Sequence, residues 1–406
     1  MRVLALTKIF PNEREPLSAP FNRLQFAALS KLASVEVLAS IPWFPAASLF
    51  SRWSATGRLA GVPALETIEG LRVRHPRFAY LPKFGHGIAG PLYAASLAPL
   101  VLRYRGHVDV LLGSWAYPDG YAAVVLAELL GVPAVIKVHG SDLNVLSTLS
   151  GPRRHLEWAL SRADRVVAVS RPLAEKAAEL GAPADRVDVV PNGIDRQVFQ
   201  PRDRQEARRA LGLPEDGRLV LFVGHVTEKK GALDLVRAFG AAGAEMRGTR
   251  LVLVGDGAGM SACAKLCADL GVDANLVGAQ PHERVPAWLA ACDVLALPSW
   301  NEGTPNVVLE ALACGRRVVA TSVGGIPDVV TSPELGTLVA PRDIEALARA
   351  LSAAVATPYE PETIASALPT PSWQGSARLL HGSLLAALEA RARLSVEPLR
   401  DQVQAA

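Results

Sequence analysis

Residues 294–320 read Val294-Leu295-Ala296-Leu297-Pro298-Ser299-Trp300-Asn301-Glu302-Gly303-Thr304-Pro305-Asn306-Val307-Val308-Leu309-Glu310-Ala311-Leu312-Ala313-Cys314-Gly315-Arg316-Arg317-Val318-Val319-Ala320. A short run of apolar residues ends at a proline. A polar loop follows, then apolar residues at helical spacing up to Gly315, then a second apolar run. Apolar runs bounded by turn residues are strands covered on both faces, so this stretch is strand, loop, helix, strand. Such a unit implies a parallel sheet with a right-handed crossover. Thr304 predicts an N-cap and Pro305 the first helical position, with the helix spanning Asn306 to Cys314 and stopping at Gly315.

The same alternation extends outward through the chain. Strands are expected at Val3–Leu6, Val35–Leu38, Val108–Leu112, Ala134–Val138, Arg165–Val169 and Val187–Val190, and again at Leu219–Val223, Leu251–Val254, Val294–Leu297 and Val318–Ala320. Helical periodicity fills Asp119–Leu130, Arg171–Leu180, Ala232–Ala241 and Ser261–Leu270. The pattern pauses between Pro191 and Pro214, where Pro191-Asn192-Gly193 precedes a charged run from Arg202 to Arg209. Turn residues and polar composition mark a hinge or linker there. The expected architecture is α/β, with two facing, doubly wound parallel-sheet domains over residues 1–195 and 196–370 and a C-terminal segment over 371–406.

Composition bounds the function. The chain has 406 residues, 50% of them hydrophobic and 20% charged, which is too apolar for disorder. Lys plus Arg is 42 and Asp plus Glu is 39, a net charge of +3, which excludes nucleic-acid binding through bulk charge. Lys8 interrupts the N-terminal apolar run too early for a signal peptide, and Phe84–Leu102 is broken by Pro91 and Pro99 and falls short of the ~20 residues of a membrane span. A cytosolic protein is expected. Cys263, Cys267, Cys292 and Cys314 lack metal-ligand or redox spacing and are read as buried thiols, so no metal site is expected. The mean hydropathy of +0.22 is high for such a protein. Aromatic and apolar residues beside arginines at Trp43, Phe44, Leu49, Phe50 and Trp53, and at Ile88–Leu102 before Arg103 and Arg105, suit a peripheral membrane contact. Packing against the N-terminal core is the alternative.

In open parallel sheets, ligands bind beyond the carboxyl ends of the strands. The loops there are Gly113–Gly120, His139–Asp142, Gly224–Gly231, Gly255–Gly257 and Pro298–Asn306. Glu302 lies before the helix and Glu310 roughly 7–8 Å along it, so the two carboxylates address different parts of an elongated ligand. Backbone N–H groups at the helix start suit hydroxyls or a phosphate. Lys229 and Lys230, with His225 nearby, suit an anionic diphosphate. Asp142 is read either as a helix cap or as an acceptor contact. The run Gly255-Asp256-Gly257-Ala258-Gly259 lacks the full dinucleotide spacing and is read as a tight turn near the nucleotide.

The stretch from Glu302 to Gly315 resembles the Glu-x7-Glu motif of family 4 retaining glycosyltransferases. Val323-Gly324-Gly325-Ile326-Pro327-Asp328, Val190-Pro191-Asn192-Gly193-Ile194-Asp195, Val254-Gly255-Asp256-Gly257, His139-Gly140-Ser141-Asp142 and Ser372-Trp373 continue the resemblance in order. It implies a GT-B fold whose last helix, near Trp373–Ala390, crosses back to the first domain. It also implies that a hexose moves from a nucleoside-diphosphate sugar to a glycan or lipid-linked acceptor in cell-surface polysaccharide or glycolipid synthesis, with no cofactor beyond the donor.

By the same resemblance, His139, Lys230 and Glu302 are catalytic. Gly224, His225, Lys229, Lys230, Gly255, Glu302, Gly303, Thr304, Pro305, Asn306, Val307 and Glu310 bind the donor, with Glu310 on the ribose. Tyr117, Asp119 and Asp142 are acceptor-side candidates. The chain departs from the family where His225 replaces a common Arg, where Arg317 replaces a common Pro, and where Pro16–Pro20 stands in place of a glycine loop. A nucleotide-sugar epimerase and a non-catalytic sugar-nucleotide-binding partner are the competing readings.

Overall fold

The computed structural model describes residues 1–16, 18–45, 55–80 and 87–404. They form two units, Met1–Gly193 with Trp373–Ala406, and Ile194–Ser372.

In the first unit the strands are β1 (Arg2–Thr7), β2 (Ser34–Ala39), β3 (Ile41–Trp43), β4 (Leu65–Ile68), β5 (Leu71–Arg74), β6 (Arg77–Ala79), β7 (Val110–Ser114), β8 (Ala134–Val138), β9 (Arg165–Ala168) and β10 (Val187–Val189). Eight of them form a sheet ordered β10-β9-β8-β7-β1-β2-β5-β4. Every pair is parallel except β4–β5. β3 and β6 pair separately in parallel. β7 and β8 are buried along their whole length, which is why neither alternates; the one charge, Lys137 in β8, donates to Gln25 Oε1. The strand order reverses between β1 and β7, so a switch-point crevice lies at Thr7 and Ser114.

The sequence reading passed over β4 and β5. β4 is the edge strand and β5 lies beside it, each only four residues long; β5 alternates Leu71 and Val73 with Arg72 and Arg74, whereas Leu-Glu-Thr-Ile in β4 carries no alternation. Glu69 and Gly70 both have positive φ, 53° and 77°, as a two-residue hairpin turn requires. That Glu-Gly pair before the alternating run of β5 was the available signal.

The last helix, Trp373–Gln404, belongs to the first unit. Trp373, Ala377, Leu380, Leu384 and Ala387 recur three and four apart and share one core with Phe26 and Leu29 of the helix Pro20–Leu29. Gln25 Nε2 donates to Ser376 Oγ at 2.8 Å, and Ser376 Oγ donates to the Pro191 carbonyl at 2.6 Å.

The second unit contains β11 (Arg218–Val223), β12 (Thr249–Val254), β13 (Ala274–Gly278), β14 (Val294–Leu297), β15 (Arg317–Thr321) and β16 (Gly336–Val339). They form one parallel sheet ordered β13-β12-β11-β14-β15-β16, whose order reverses between β11 and β14.

Two local expectations are corrected here. The charged run after Pro201 is not linker: Arg204–Leu211 is a helix of the second unit, capped by Asp203 accepting from Glu206 N–H. Arg208 on its buried face donates to the carbonyls of Ala291, Glu215 and Gly217 and pairs with Asp293 at 2.9 Å. One inward arginine among outward charges looks like polar linker in sequence, but burial with full hydrogen bonding makes it a core residue. Thr304 is not the cap of the next helix: Pro305 is, and the helix spans Asn306–Ala313, with Cys314 as its C-cap.

Among the described residues, no helix is long and apolar enough to cross a membrane. The four cysteines are buried and unpaired.

Candidate active site

Two loops meet at the switch point of the second unit. After β11 the chain passes Gly224 and His225 to a short turn, Glu228–Lys230, which Thr227 caps through Oγ1 to the Lys230 N–H at 3.4 Å. After β14 it passes Pro298 and Ser299 to Glu302. Trp300 N–H donates to the Lys229 carbonyl at 2.9 Å and joins the two loops. Gly231 lets them approach: its φ is 71°, and a Cβ there would lie 2.0 Å from the Pro298 carbonyl oxygen. Trp300 is itself fixed, its Nε1 donating to Asp234 at 2.8 Å and its ring carrying Arg342 at 3.9 Å.

This clamp holds Glu302, which is 8% exposed. Its Oε1 accepts from Lys230 Nζ at 2.7 Å and from Ser299 Oγ at 2.7 Å. Thr321 Oγ1 in turn donates to the Ser299 carbonyl, and Gly325 N–H donates to the Gly303 carbonyl at 2.7 Å. A carboxylate removed from water needs such a partner set, and Lys230 supplies the opposite charge. Lys229 and His225 are exposed beside it. Gly255 backs onto Gly224: with φ at 140°, a Cβ would stand 1.8 Å from the Gly224 carbonyl oxygen, so both loops stay tight at the sheet edge.

Pro305 is buried, and Gly303, Thr304, Asn306 and Val307 are half-buried at the helix start. The first intrahelical bonds run from Val308 and Leu309 to the Pro305 carbonyl, so the Val307 N–H precedes the ladder. Glu310 lies further along the same helix. Burial pushes its carboxyl up to about 8, and His282 Nε2 faces it at 3.9 Å. His282 in turn packs on Phe199 with ring centroids 5.8 Å apart.

In the first unit, His139 follows β8 and lies beside the switch point. Phe21 packs on its ring at 4.8 Å, and Trp115 stacks on it at 5.9 Å. Trp115 holds φ at 144°, a conformation that favours glycine, so local strain is stored beside the histidine. The tautomer follows from the hydrogen-bond chain. Asn22 Nδ2 donates to the Ile9 carbonyl at 3.1 Å, which turns Asn22 Oδ1 toward Ser114. Ser114 Oγ donates its one proton there at 2.9 Å. His139 Nε2, 3.0 Å from Ser114 Oγ, must therefore donate, leaving Nδ1 as the acceptor. Burial, helped by the Lys137 charge, holds the imidazole pKa well below the usual histidine value, so it is neutral at pH 7.

The three acceptor-side candidates, Tyr117, Asp119 and Asp142, are all buried. Asp142 is fully buried and accepts from the N–H groups of Ala116, His139, Gly140 and Leu143 at 2.7–3.2 Å, so it organises the loop. Tyr117 is buried, accepts from Gly90 N–H at 2.8 Å and stacks on His155 at 5.6 Å. Asp119 is fully buried, accepts from Lys8 N–H at 3.2 Å, and burial pushes it up to about 7. The sequence reading missed Ser299, Thr227, Asn22 and Ser114. Ser299 and Ser114 stand at strand carboxyl ends and were within reach of the strand-end rule. Asn22 and Thr227 gave no signal of their own.

Known proteins resemble this chain in sequence and in fold. Residues 50–198 match glycosyltransferase family 4 and residues 217–357 match glycosyl transferases group 1. The Bacillus subtilis protein TuaC, described as a candidate teichuronic acid biosynthesis glycosyltransferase, is 31% identical over 371 residues, covering 90% of each chain. The chain belongs to glycosyltransferase family 4. The fold of this family 4 glycosyltransferase is that of solved GT-B enzymes. Sucrose-phosphate synthase from Thermosynechococcus elongatus superposes with a TM-score of 0.70 at 20% identity over 100% of both chains. Anabaena HepE, solved with UDP-glucose, superposes at 0.64 with 19% identity over 98% of this chain and 100% of its own.

Proposed function

We propose that the enzyme transfers a hexose from a nucleoside-diphosphate sugar to a hydroxyl of a glycan or lipid-linked acceptor, with retention at the anomeric carbon. The observation that carries this reading is the buried Glu302 paired with Lys230 at the β11–β14 switch point, with Glu310 further along the same helix. In this reading Glu302 and the backbone of Gly303–Asn306 hold the sugar, Lys230 meets the diphosphate, and Glu310 accepts from the ribose hydroxyls. His139 accepts a sugar hydroxyl through Nδ1. The β-phosphate oxygen leaves with the bonding pair from the anomeric carbon, and the incoming hydroxyl attacks on the same face and gives its proton to that phosphate. No glycosyl-enzyme forms, unlike the paired carboxylates of retaining glycosidases. Lys230 is the cation that stabilises the leaving charge, a metal-free route.

Donor binding by Glu310 has a pH signature. Its carboxyl is raised to about 8 when empty, and hydroxyl donors bind best to the ionised form. Binding then releases a proton, so affinity rises with pH up to about 8 and levels off above it. UDP-glucose is the first probe, because the similar Anabaena protein was solved with it. Isothermal titration between pH 6 and pH 8.5 should show affinity rising severalfold in the wild type and in His282→Gln. The profile should be flat and weaker in Glu310→Gln. A thermal-shift screen of other nucleotide-sugars fixes the base if UDP-glucose is silent. Equal binding of every nucleotide-sugar by wild type and Glu310→Ala removes the ribose assignment.

The acceptor side is proposed to approach the cytoplasmic face of a membrane. Trp43 and Ile88 are 46% and 47% exposed, and Arg103 and Arg105 are exposed nearby along the chain after the helix Ala89–Val101. Leu49, Phe50, Arg52 and Trp53 lie outside the described residues. Wild type should float with anionic lipid vesicles, and Trp43→Ser/Ile88→Ser should float several times less. Equal, negligible flotation of both proteins refutes the contact.

A further inference from the structure

The second unit has a cavity of about 550 Å³ at the edge of its sheet opposite the donor loops. Arg218 starts β11, Asp293 precedes β14 and Arg316 precedes β15, so the cavity sits where these strands begin. β11 has six residues, which puts its two ends ~17 Å apart. Four arginines line the cavity: Arg202, Arg204, Arg218 and Arg316. Its acids are already committed. Asp293 pairs with both Arg204 and Arg208, and Asp203 caps the helix that follows it. Among the described residues, Arg202, Arg218 and Arg316 therefore have no ion-pair partner.

Arg316 is the decisive group. It is 3% exposed, and its Nη2 donates to the Arg202 carbonyl at 3.1 Å. Its Nε is buried and has no acceptor among the described residues. A guanidinium taken out of water without a counter-charge is unfavourable, and a bound anion removes that penalty. Ala354 and Val355, at the end of the helix Ile344–Ala356, add an apolar stretch of wall, and Tyr359 lines the cavity with its hydroxyl donating to the Asp293 carbonyl.

We propose that this cavity binds a phosphate-bearing small molecule. Guanidinium forks match phosphate oxygens bidentately, and three unpaired cations suit a dianion better than a single carboxylate. The volume exceeds that of a bare phosphate and lies in the range of small-molecule sites, and the apolar wall suits an organic moiety. The inference is independent of the donor reading, because it uses none of the donor residues.

Isothermal titration with inorganic phosphate at constant ionic strength tests it. The proteins are the wild type, Lys230→Ala, and the double variant Arg202→Ala/Arg218→Ala. Arg202 and Arg218 are exposed, and the Arg202 carbonyl that receives Arg316 survives the substitution. An unfolding midpoint equal to wild type confirms that the double variant is folded. Saturable binding of one phosphate is expected in wild type and in Lys230→Ala, with at least a tenfold loss of affinity in the double arginine variant. The proposal is overturned by no saturable binding in wild type. It is equally overturned by unchanged affinity in the arginine variant, or by loss of binding in Lys230→Ala, which would put the phosphate in the donor loops.

Discussion

Replacing Lys230 with alanine is expected to lower transfer at least 100-fold, the scale of losing one preorganised group at a developing negative charge. Two effects contribute and can be separated. Lys230 Nζ is the charged partner of the buried Glu302, so its loss leaves that carboxylate, among the described residues, accepting only from Ser299 Oγ. Removing one member of a buried pair destabilises because the other charge stays behind. Lys230 is itself about one-third exposed, so solvent screens part of this cost. Lys230→Ala should therefore unfold a few degrees below wild type, and Lys230→Ala/Glu302→Gln should regain most of that loss. Activity follows another rule: neither variant supplies a cation to the leaving diphosphate, so both stay inactive. Nucleoside-diphosphate release measures transfer and thermal unfolding measures the pair. Near-normal turnover in Lys230→Ala, or turnover restored by the second substitution, would mean that the lysine serves only to balance Glu302.

The legible parts of this chain are those where one residue type carries both fold and chemistry. The stretch from Val294 to Ala320 announces its strand, loop and helix, and the same loop contains Glu302. β8 and β14 occupy the residues that their apolar runs predict, because strands buried on both faces leave no ambiguity of period. What was not legible depends on long-range partners. Arg208 reads as one more charge in Arg202–Arg209 until Asp293 and three carbonyls surround it. Asn22 and Ser114 are unremarkable polar residues, 92 positions apart, until folding aligns them with His139. Their effect on the site is electronic rather than steric, since they decide which imidazole nitrogen holds the proton.

Asp142 shows the same limit from the other side, because a carboxylate beside a site histidine invites a catalytic reading while its hydrogen bonds point to a structural one. Both oxygens face backbone N–H groups: Gly140 at 2.7 Å, His139 and Ala116 at 3.0 Å, and Leu143 at 3.2 Å. Burial raises its pKa while these bonds oppose the rise, the mark of an anion held by oriented dipoles. Asp142→Ala should orphan several buried donors, each worth about 1–3 kcal/mol. The unfolding midpoint should then fall by on the order of 10 °C for a domain of this size. Asp142→Asn keeps the shape and one acceptor oxygen but turns an amide donor toward other donors, so it should fall between the two. Transfer should decline in step with the loss of the folded loop, and cooling or a stabilising nucleotide-sugar should restore it in part. A structural anchor and an acceptor contact then differ in one measurement. If Asp142→Ala unfolds like wild type yet shows a raised KM for the acceptor, the carboxylate meets substrate and the packing assignment fails.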